Sequence, residues 1–216
     1  MLIRPPWVYR PQSDTWLLAR ALNEAGIPCG GHVLDVCTGS GALAIAAVRG
    51  GAAAVTAVDI SRSAAVSAWL NCRVRGIGAE VIRGDFASVL SGRRFDLVLA
   101  NPPYVPAPER EHRGAARAWD AGARGRGALD RLCRMMPGLL NPRGAALVVH
   151  SMLSDPDSTL NQLRGAGLKA AIVARHTVPF GPVLRGRADW LASNGLIEPG
   201  QDSEDLVVIR ADRIRK

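Results

Sequence analysis

The sequence predicts an α/β chain built on an open sheet whose strand ends carry the chemistry, and three observations predict it. An apolar run, Phe95 to Ala100, empties into Asn101-Pro102-Pro103-Tyr104; a run of that length closed by breakers reads as a buried strand opening into a rigid loop. A second strand, His32 to Cys37, leads through Thr38-Gly39-Ser40-Gly41 into an Ala-rich helix, Ala42 to Val48. That geometry lets backbone N–H groups approach a ligand at a helix N-terminus. Two further strands close on acids, Ala53 to Asp59 and Ala79 to Gly84 with Asp85-Phe86 following. In an open α/β sheet, ligands bind at this carboxyl edge.

The bulk properties agree with one ordinary domain. The chain has 216 residues, 48% of them hydrophobic and 21% charged, which fits a globular protein and excludes a disordered one. The net charge of +8 invites a nucleic-acid partner, but Lys169 and Lys216 are its two lysines and arginine supplies the rest. With abundant Ala and Gly, that bias also fits GC-rich coding, so the charge carries little weight. The cysteines, Cys29, Cys37, Cys72 and Cys133, show neither C-x-x-C pairing nor histidine spacing suited to zinc. They read as reduced thiols of a cytoplasmic protein, and no metal site is expected. Met1 to Arg10 holds no apolar core of a signal peptide, and no run approaches the ~18 apolar residues of a membrane span.

Each element follows in order. Trp7 to Gln12 is an extended entry, and Ser13 or Asp14 opens a helix carrying Trp16, Leu17, Leu18, Ala21 and Leu22, stopped by Gly26. The glycine loop comes next. It lacks the Gly-Lys-Ser/Thr ending of an ATPase loop and the full dinucleotide spacing. Asp59 stands about 20 residues beyond it, where such folds place a carboxylate on a ribose; it could instead cap the helix Arg62 to Arg75, a task for which Ser61 competes. Asp85 and Phe86 suit an adenine, the acid on its amino group and the ring beside it. Pro106 to Arg126 is a loose Arg/Gly/Ala-rich loop. Ala128 to Leu140 reads as a helix stopped by Asn141-Pro142-Arg143-Gly144, Ala145 to His150 as a strand, and Ser154 to Gly165 contains an Asp-Pro-Asp helix start. Lys169 to Val178 and Asp205 to Arg210 are the last strands, joined by a long connection, Pro182 to Pro199, that reads equally as substrate-facing insertion or surface hairpin.

The Asn-Pro-Pro-Tyr stretch has a definite chemical use. A planar NH2 group is a poor nucleophile because its lone pair is delocalised. The Asn101 side-chain carbonyl and a neighbouring backbone carbonyl can accept both of its N–H bonds, and the prolines hold those acceptors in place. Tyr104 offers an aromatic face. An ordinary Pro-Pro loop with Asn101 capping locally is the plainer alternative. His150 and His176 are read as structural, since transfer to such a nitrogen permits late proton loss and needs no base.

These stretches together resemble the class I S-adenosylmethionine-dependent methyltransferases. Val33-Leu34-Asp35-Val36-Cys37-Thr38-Gly39-Ser40-Gly41 and Asn101-Pro102-Pro103-Tyr104 resemble the HemK-type protein-glutamine methyltransferases. Val8-Tyr9-Arg10-Pro11-Gln12-Ser13-Asp14-Thr15 resembles the entry signature of their short eukaryotic and archaeal-like subgroup, with Ser13 where that signature has Glu. Ala118 to Gly122, Gly125-Arg126 and Leu129-Asp130-Arg131 resemble its post-catalytic segment. The resemblance implies a Rossmann-like seven-stranded sheet in the order 3-2-1-4-5-7-6, the last strand antiparallel, with helices on both faces. It implies one domain over 1–216, with 1–30 as an N-terminal lid and 31–216 as catalytic core, and no separate N-terminal helical bundle.

The implied activity is methylation of a protein glutamine, as in the Gly-Gly-Gln motif of translation release factors. The implied catalytic residues are Asn101, Pro102 and Tyr104. Thr15, Asp35, Thr38, Gly39, Gly41, Asp59, Ile60, Asp85, Phe86 and Asn101 would hold S-adenosylmethionine. A small zinc-binding activator subunit is a further implied partner. The alternatives are methylation of an adenine amine in RNA or DNA, which needs base extrusion and added recognition surface, methylation of protein lysine, and a non-catalytic cofactor-binding scaffold.

Overall fold

The computed structural model describes residues 1–25, 30–108 and 118–214. The expected helix stop at Gly26, Cys29, the centre of the Pro106–Arg126 loop and Lys216 lie outside them. Apolar runs form the sheet: β1 (His32–Val36), β2 (Ala54–Asp59), β3 (Glu80–Arg83), β4 (Phe95–Ala100), β5 (Leu140–Ser151), β6 (Lys169–Pro179) and β7 (Ser203–Asp212). Their order is β3-β2-β1-β4-β5-β7-β6. The first five pair in parallel, while β7 runs antiparallel to both β5 and β6. The expected topology is therefore the observed one. Around the sheet stand α1 (Ser13–Ala25), α2 (Ala42–Arg49), α3 (Arg62–Arg73), α4 (Phe86–Val89), α5 (Gly127–Leu139), α6 (Pro156–Gly165), α7 (Pro182–Gly186) and α8 (Ala188–Ser193).

Register places the chemistry. Strand β1 lies between β2 and β4, the point where strand order reverses and a crevice opens at the carboxyl ends. Val36 pairs with Ala100 on one side and with Val58 on the other, and Asp59 pairs with Arg83. Cys37, Asn101, Asp59 and Asp85 thus leave adjacent strands along one rim. Helix α1 buries Leu17, Leu18, Ala21 and Leu22, and α5 buries Leu129, Leu132, Cys133, Met136 and Leu139. Each fully buried leucine contributes roughly 1.5–3 kcal/mol of apolar transfer.

Two elements differ from expectation. Strand β5 starts at Leu140 and absorbs Asn141-Pro142-Arg143-Gly144, because the chain enters the sheet through a bulge. Phe95 pairs with Leu140 but Leu97 with Ala145, and Arg143 takes a left-handed φ of 67°. The Pro182–Pro199 connection is no hairpin. It forms α7 and α8 around a satellite core of Phe180, Leu184, Leu191 and Ile197, packed against Val105 and Leu153. Among the described residues, no helix is long and apolar enough to cross a membrane.

Candidate active site

Asn101 is anchored from across the chain. Its Nδ2 donates to Asp14 Oδ2 at 3.1 Å and to Thr15 Oγ1 at 3.2 Å, so both amide hydrogens are spent on α1. Its Oδ1 is thereby left as the acceptor of the pair. Tyr9 and Tyr104 each donate a hydroxyl to the same Asp14 Oδ2, at 2.8 and 3.1 Å, and Asp14 Oδ1 accepts from the Thr15 N–H and hydroxyl. Asp14 and Thr15 are both buried. Burial beside Asp14 raises the pKa of both tyrosines, keeping the phenols neutral. Tyr104 is packed into the core at 9% exposure with its hydroxyl tied to α1, so the open aromatic face expected from the sequence is largely covered.

The glycine loop forms the other half. Asp35 Oδ2 accepts from Thr38 Oγ1 at 2.6 Å and from the Ala44 N–H at 3.0 Å. Its Oδ1 is buried with no hydrogen-bond partner among the described residues, and burial raises the carboxyl pKa to about 7. An orphaned carboxylate oxygen of that kind suits a ligand's cationic amine. Asp59 accepts the Gly39 N–H and the Ser61 N–H, both at 2.9 Å. Ser61 itself caps α3, accepting the Ala64 N–H, so the acid is not the cap. A carboxylate offers about four lone-pair sites, and two remain for vicinal hydroxyls. Gly41, at φ 82°, is required for packing as well: a Cβ there would stand 3.1 Å from Ala68 Cα of α3. Ile60 follows at the rim, exposed.

A family model described as methyltransferase small domain matches residues 10–166. The chain belongs to this methyltransferase family. MJ0928 of Methanocaldococcus jannaschii, named for protein N5-glutamine methyl transfer, is 33% identical over 177 residues, 81% of this chain and 88% of that protein. The release factor glutamine methyltransferase of Rhodospirillum rubrum is 36% identical over 154 residues, 64% of this chain but 45% of that protein. Among solved structures, the E. cuniculi Mtq2–Trm112 complex, titled as responsible for methylation of the eRF1 termination factor, superposes with a TM-score of 0.63 at 21% identity. It covers 96% of this chain and 99% of that one.

Within this methyltransferase the third strand end is occupied by protein. Both Asp85 oxygens accept from Arg131 Nη2, at 2.7 and 2.6 Å, and Asp85 Oδ1 also accepts the Ala87 N–H that starts α4. The Arg131 guanidinium lies over the Phe86 ring, 5.1 Å from its centroid. Asp85 meets any ligand as half of an ion pair, its pKa held down first by that guanidinium. Arg131 is thus a rim residue that strand-end reasoning misses, because it arrives from α5. Asp14 is missed for a similar reason: at a helix start it reads as a local cap. Cys37, at φ 59°, holds a left-handed turn that usually selects glycine.

Beside the loop, Asn71 of α3 donates to the carbonyls of both Ser40 and Ile3 and accepts the Ile3 N–H, fastening the N-terminal arm to the glycine loop. A groove of about 650 Å³ lies between this arm and α3, lined by Ile3, Pro5, Val66 and Leu70 among others; it is separate from the crevice. His150 is fully buried, with Nδ1 on the Ser151 carbonyl, and burial lowers its pKa to about 4. It is a neutral packed imidazole. His176 is exposed on β6.

Proposed function

We propose that this methyltransferase moves a methyl group from S-adenosylmethionine to the side-chain amide nitrogen of a protein glutamine, in the Gly-Gly-Gln loop of a translation release factor. The observation that carries the reading is the orientation of Asn101. With Nδ2 committed to Asp14 and Thr15, Oδ1 and the Pro102 carbonyl are a pair of acceptors for the two N–H bonds of a planar amide. Accepting both hydrogens orients the nitrogen and returns density to its lone pair, and Tyr104, in this reading, would pack against the amide. Rate then comes from in-line positioning and exclusion of water.

S-adenosylmethionine, when bound, supplies a methyl group already activated by its sulfonium. Asp35 Oδ1 would take its amino group, Asp59 its ribose hydroxyls, and Phe86 with Ile60 would flank its adenine. Thr38 fixes Asp35, Thr15 fixes Asn101, and Gly39 with Gly41 shape the loop. The names of the M. jannaschii and R. rubrum relatives support the glutamine acceptor, and the E. cuniculi neighbour supports a termination factor as its source.

In this reading residues 1–216 act as one domain in the cytoplasm, with 1–30 as the lid. A small zinc-binding subunit, of the kind the resemblance implies, would be a further partner. The test is Asn101→Ala with tritiated cofactor and a purified release factor. Loss of transfer with cofactor binding intact is expected; near-normal turnover would overturn the assignment. Parallel protease and nuclease digestion of labelled lysate separates a protein acceptor from a nucleic-acid one, whose binding would also weaken steeply with salt.

A further inference from the structure

The backbone leaving Asn101-Pro102-Pro103-Tyr104 is held residue by residue. Ser154 Oγ donates to the Tyr104 carbonyl at 2.6 Å, and a Cβ on Gly125 would land on that same carbonyl oxygen. Val105 donates to the Trp119 carbonyl at 2.7 Å and accepts from the Ala121 N–H at 3.1 Å, a short parallel bridge with Asp120. Ala107 donates to the Gly122 carbonyl at 3.0 Å. The Pro106 carbonyl accepts from Arg187 Nη1 at 3.1 Å, and the same nitrogen donates to Asp120 Oδ1 at 2.7 Å. The Asp120 side chain is 0% exposed and that of Arg187 12%.

Arg187 stands between α7 and α8, whose satellite core rests on Val105 and Leu153. The connection between the last two strands therefore reaches back to the residues that follow Tyr104. A buried ion pair adds little net stability, because desolvation offsets the attraction, whereas it holds its partners in one geometry.

We propose that Arg187 is a positioning residue for the acceptor and that Pro182–Pro199 forms the acceptor-side wall of the site. By bridging the Pro106 carbonyl and Asp120 with one nitrogen, Arg187 holds the chain beyond Tyr104 at the height where an incoming amide meets Asn101 Oδ1 and the Pro102 carbonyl. The inference rests on the amide-transfer reading above. It makes a separable demand: the bonds that carry it run to the Pro106 carbonyl and Asp120, on the acceptor side of the site.

The experiment uses the full chain with tritiated S-adenosylmethionine and a purified release factor, comparing wild type, Arg187→Gln, Arg187→Lys, Asp120→Asn and the Arg187→Gln/Asp120→Asn double variant. Displacements of about 1 Å can cost on the order of 10²-fold in rate. Arg187→Gln is thus expected to lower kcat/KM for the release factor about 10- to 100-fold, with cofactor affinity by calorimetry near wild type. Its melting temperature falls because the buried Asp120 carboxylate is stranded, and the double variant, which removes that charge, should keep the kcat/KM loss at a melting temperature nearer wild type. Arg187→Lys should recover most of the loss, because one ammonium can donate to both oxygens. The double variant should be no worse than Arg187→Gln alone, the signature of two residues acting as a unit.

Unchanged kcat/KM in Arg187→Gln, a loss shared equally by cofactor affinity, or recovery of kcat/KM in the double variant as its melting temperature recovers, would overturn the positioning role. If Arg187→Gln does not fold, Asp120→Asn and Arg187→Lys decide, since the wall predicts an acceptor-specific loss in the first and retention in the second. Failure of the wild type to label the release factor, or an active Asn101→Ala, removes the amide-transfer reading and this inference with it. A dead Asn101→Ala beside an unimpaired Arg187→Gln removes this inference alone.

Discussion

Asp14 and Asp35 are both buried acids close to one sheet edge, and their surroundings treat them oppositely. Asp14 accepts five hydrogen bonds, from Tyr9, Tyr104, Asn101 and the Thr15 amide and hydroxyl. Asp35 has one oxygen held by Thr38 and Ala44 and another with no partner among the described residues. The first is complete before any ligand arrives, so it fixes geometry. The second carries an unmet demand that burial makes costly, so it is poised to bind. The acceptor end is rigid by construction, and the cofactor end is incomplete by construction.

The sharpest way to break that contrast is Asn101→Ala. It should lower transfer by about 10²- to 10³-fold, comparable with removing a principal preorganised group, while calorimetry finds cofactor affinity within a few-fold of wild type. Asp14→Ala comes next. It strands two phenols and part of the Asn101 amide, each unmet buried group costing about 1–3 kcal/mol. Denaturant titration should show a loss of about 3 kcal/mol, and kcat should fall roughly 10²-fold as Asn101 loses its anchor.

The cofactor end should reveal itself through pH. The Asp35 carboxyl, raised to about 7 by desolvation, is protonated in the ligand-free protein below that value. A cationic amine at Oδ1 favours the ionised form, so binding releases a proton. Cofactor affinity should weaken up to about tenfold per unit as pH falls below 7 and level off above it. Asp35→Asn should flatten the profile. Stability runs the other way. A folded pKa above the ordinary 3.8 stabilises the ligand-free fold at low pH, and this contribution is lost as pH rises through about 7. Equal pH dependence in Asp35→Asn would show that another group titrates. The smallest effect belongs to Cys37→Gly, which relieves a left-handed φ worth roughly 1 kcal/mol against the greater unfolded-state freedom of glycine. A thermal melt should shift upward slightly or not at all.

The strand ends were legible in the sequence because an apolar run followed by glycine, proline or acid leaves few other readings, and the parallel register then aligns those ends. Ser61 and Asp59 show how close alternatives resolve: both could cap α3, and the serine does, which leaves the acid for the rim. Long-range pairs were not legible. The bonds from Asp14 to Asn101 and from Arg131 to Asp85 cross 87 and 46 residues, and neither periodicity nor spacing records them. The start of β5 is hidden from the sequence because Asn-Pro-Arg-Gly is turn chemistry, and the bulge keeps that chemistry inside a strand. Local pattern leaves the role of Pro182–Pro199 undecided because it reaches Val105, Pro106 and Asp120, which are far away in sequence.

Asn71 carries a practical consequence. One side chain clasps both the third residue of the chain and the Ser40 carbonyl, so whatever is fused to the amino terminus is mechanically joined to the loop thirty-odd positions onward. Affinity handles for purification belong at the other end, and cofactor titrations on amino-terminally extended protein would report the handle along with the enzyme.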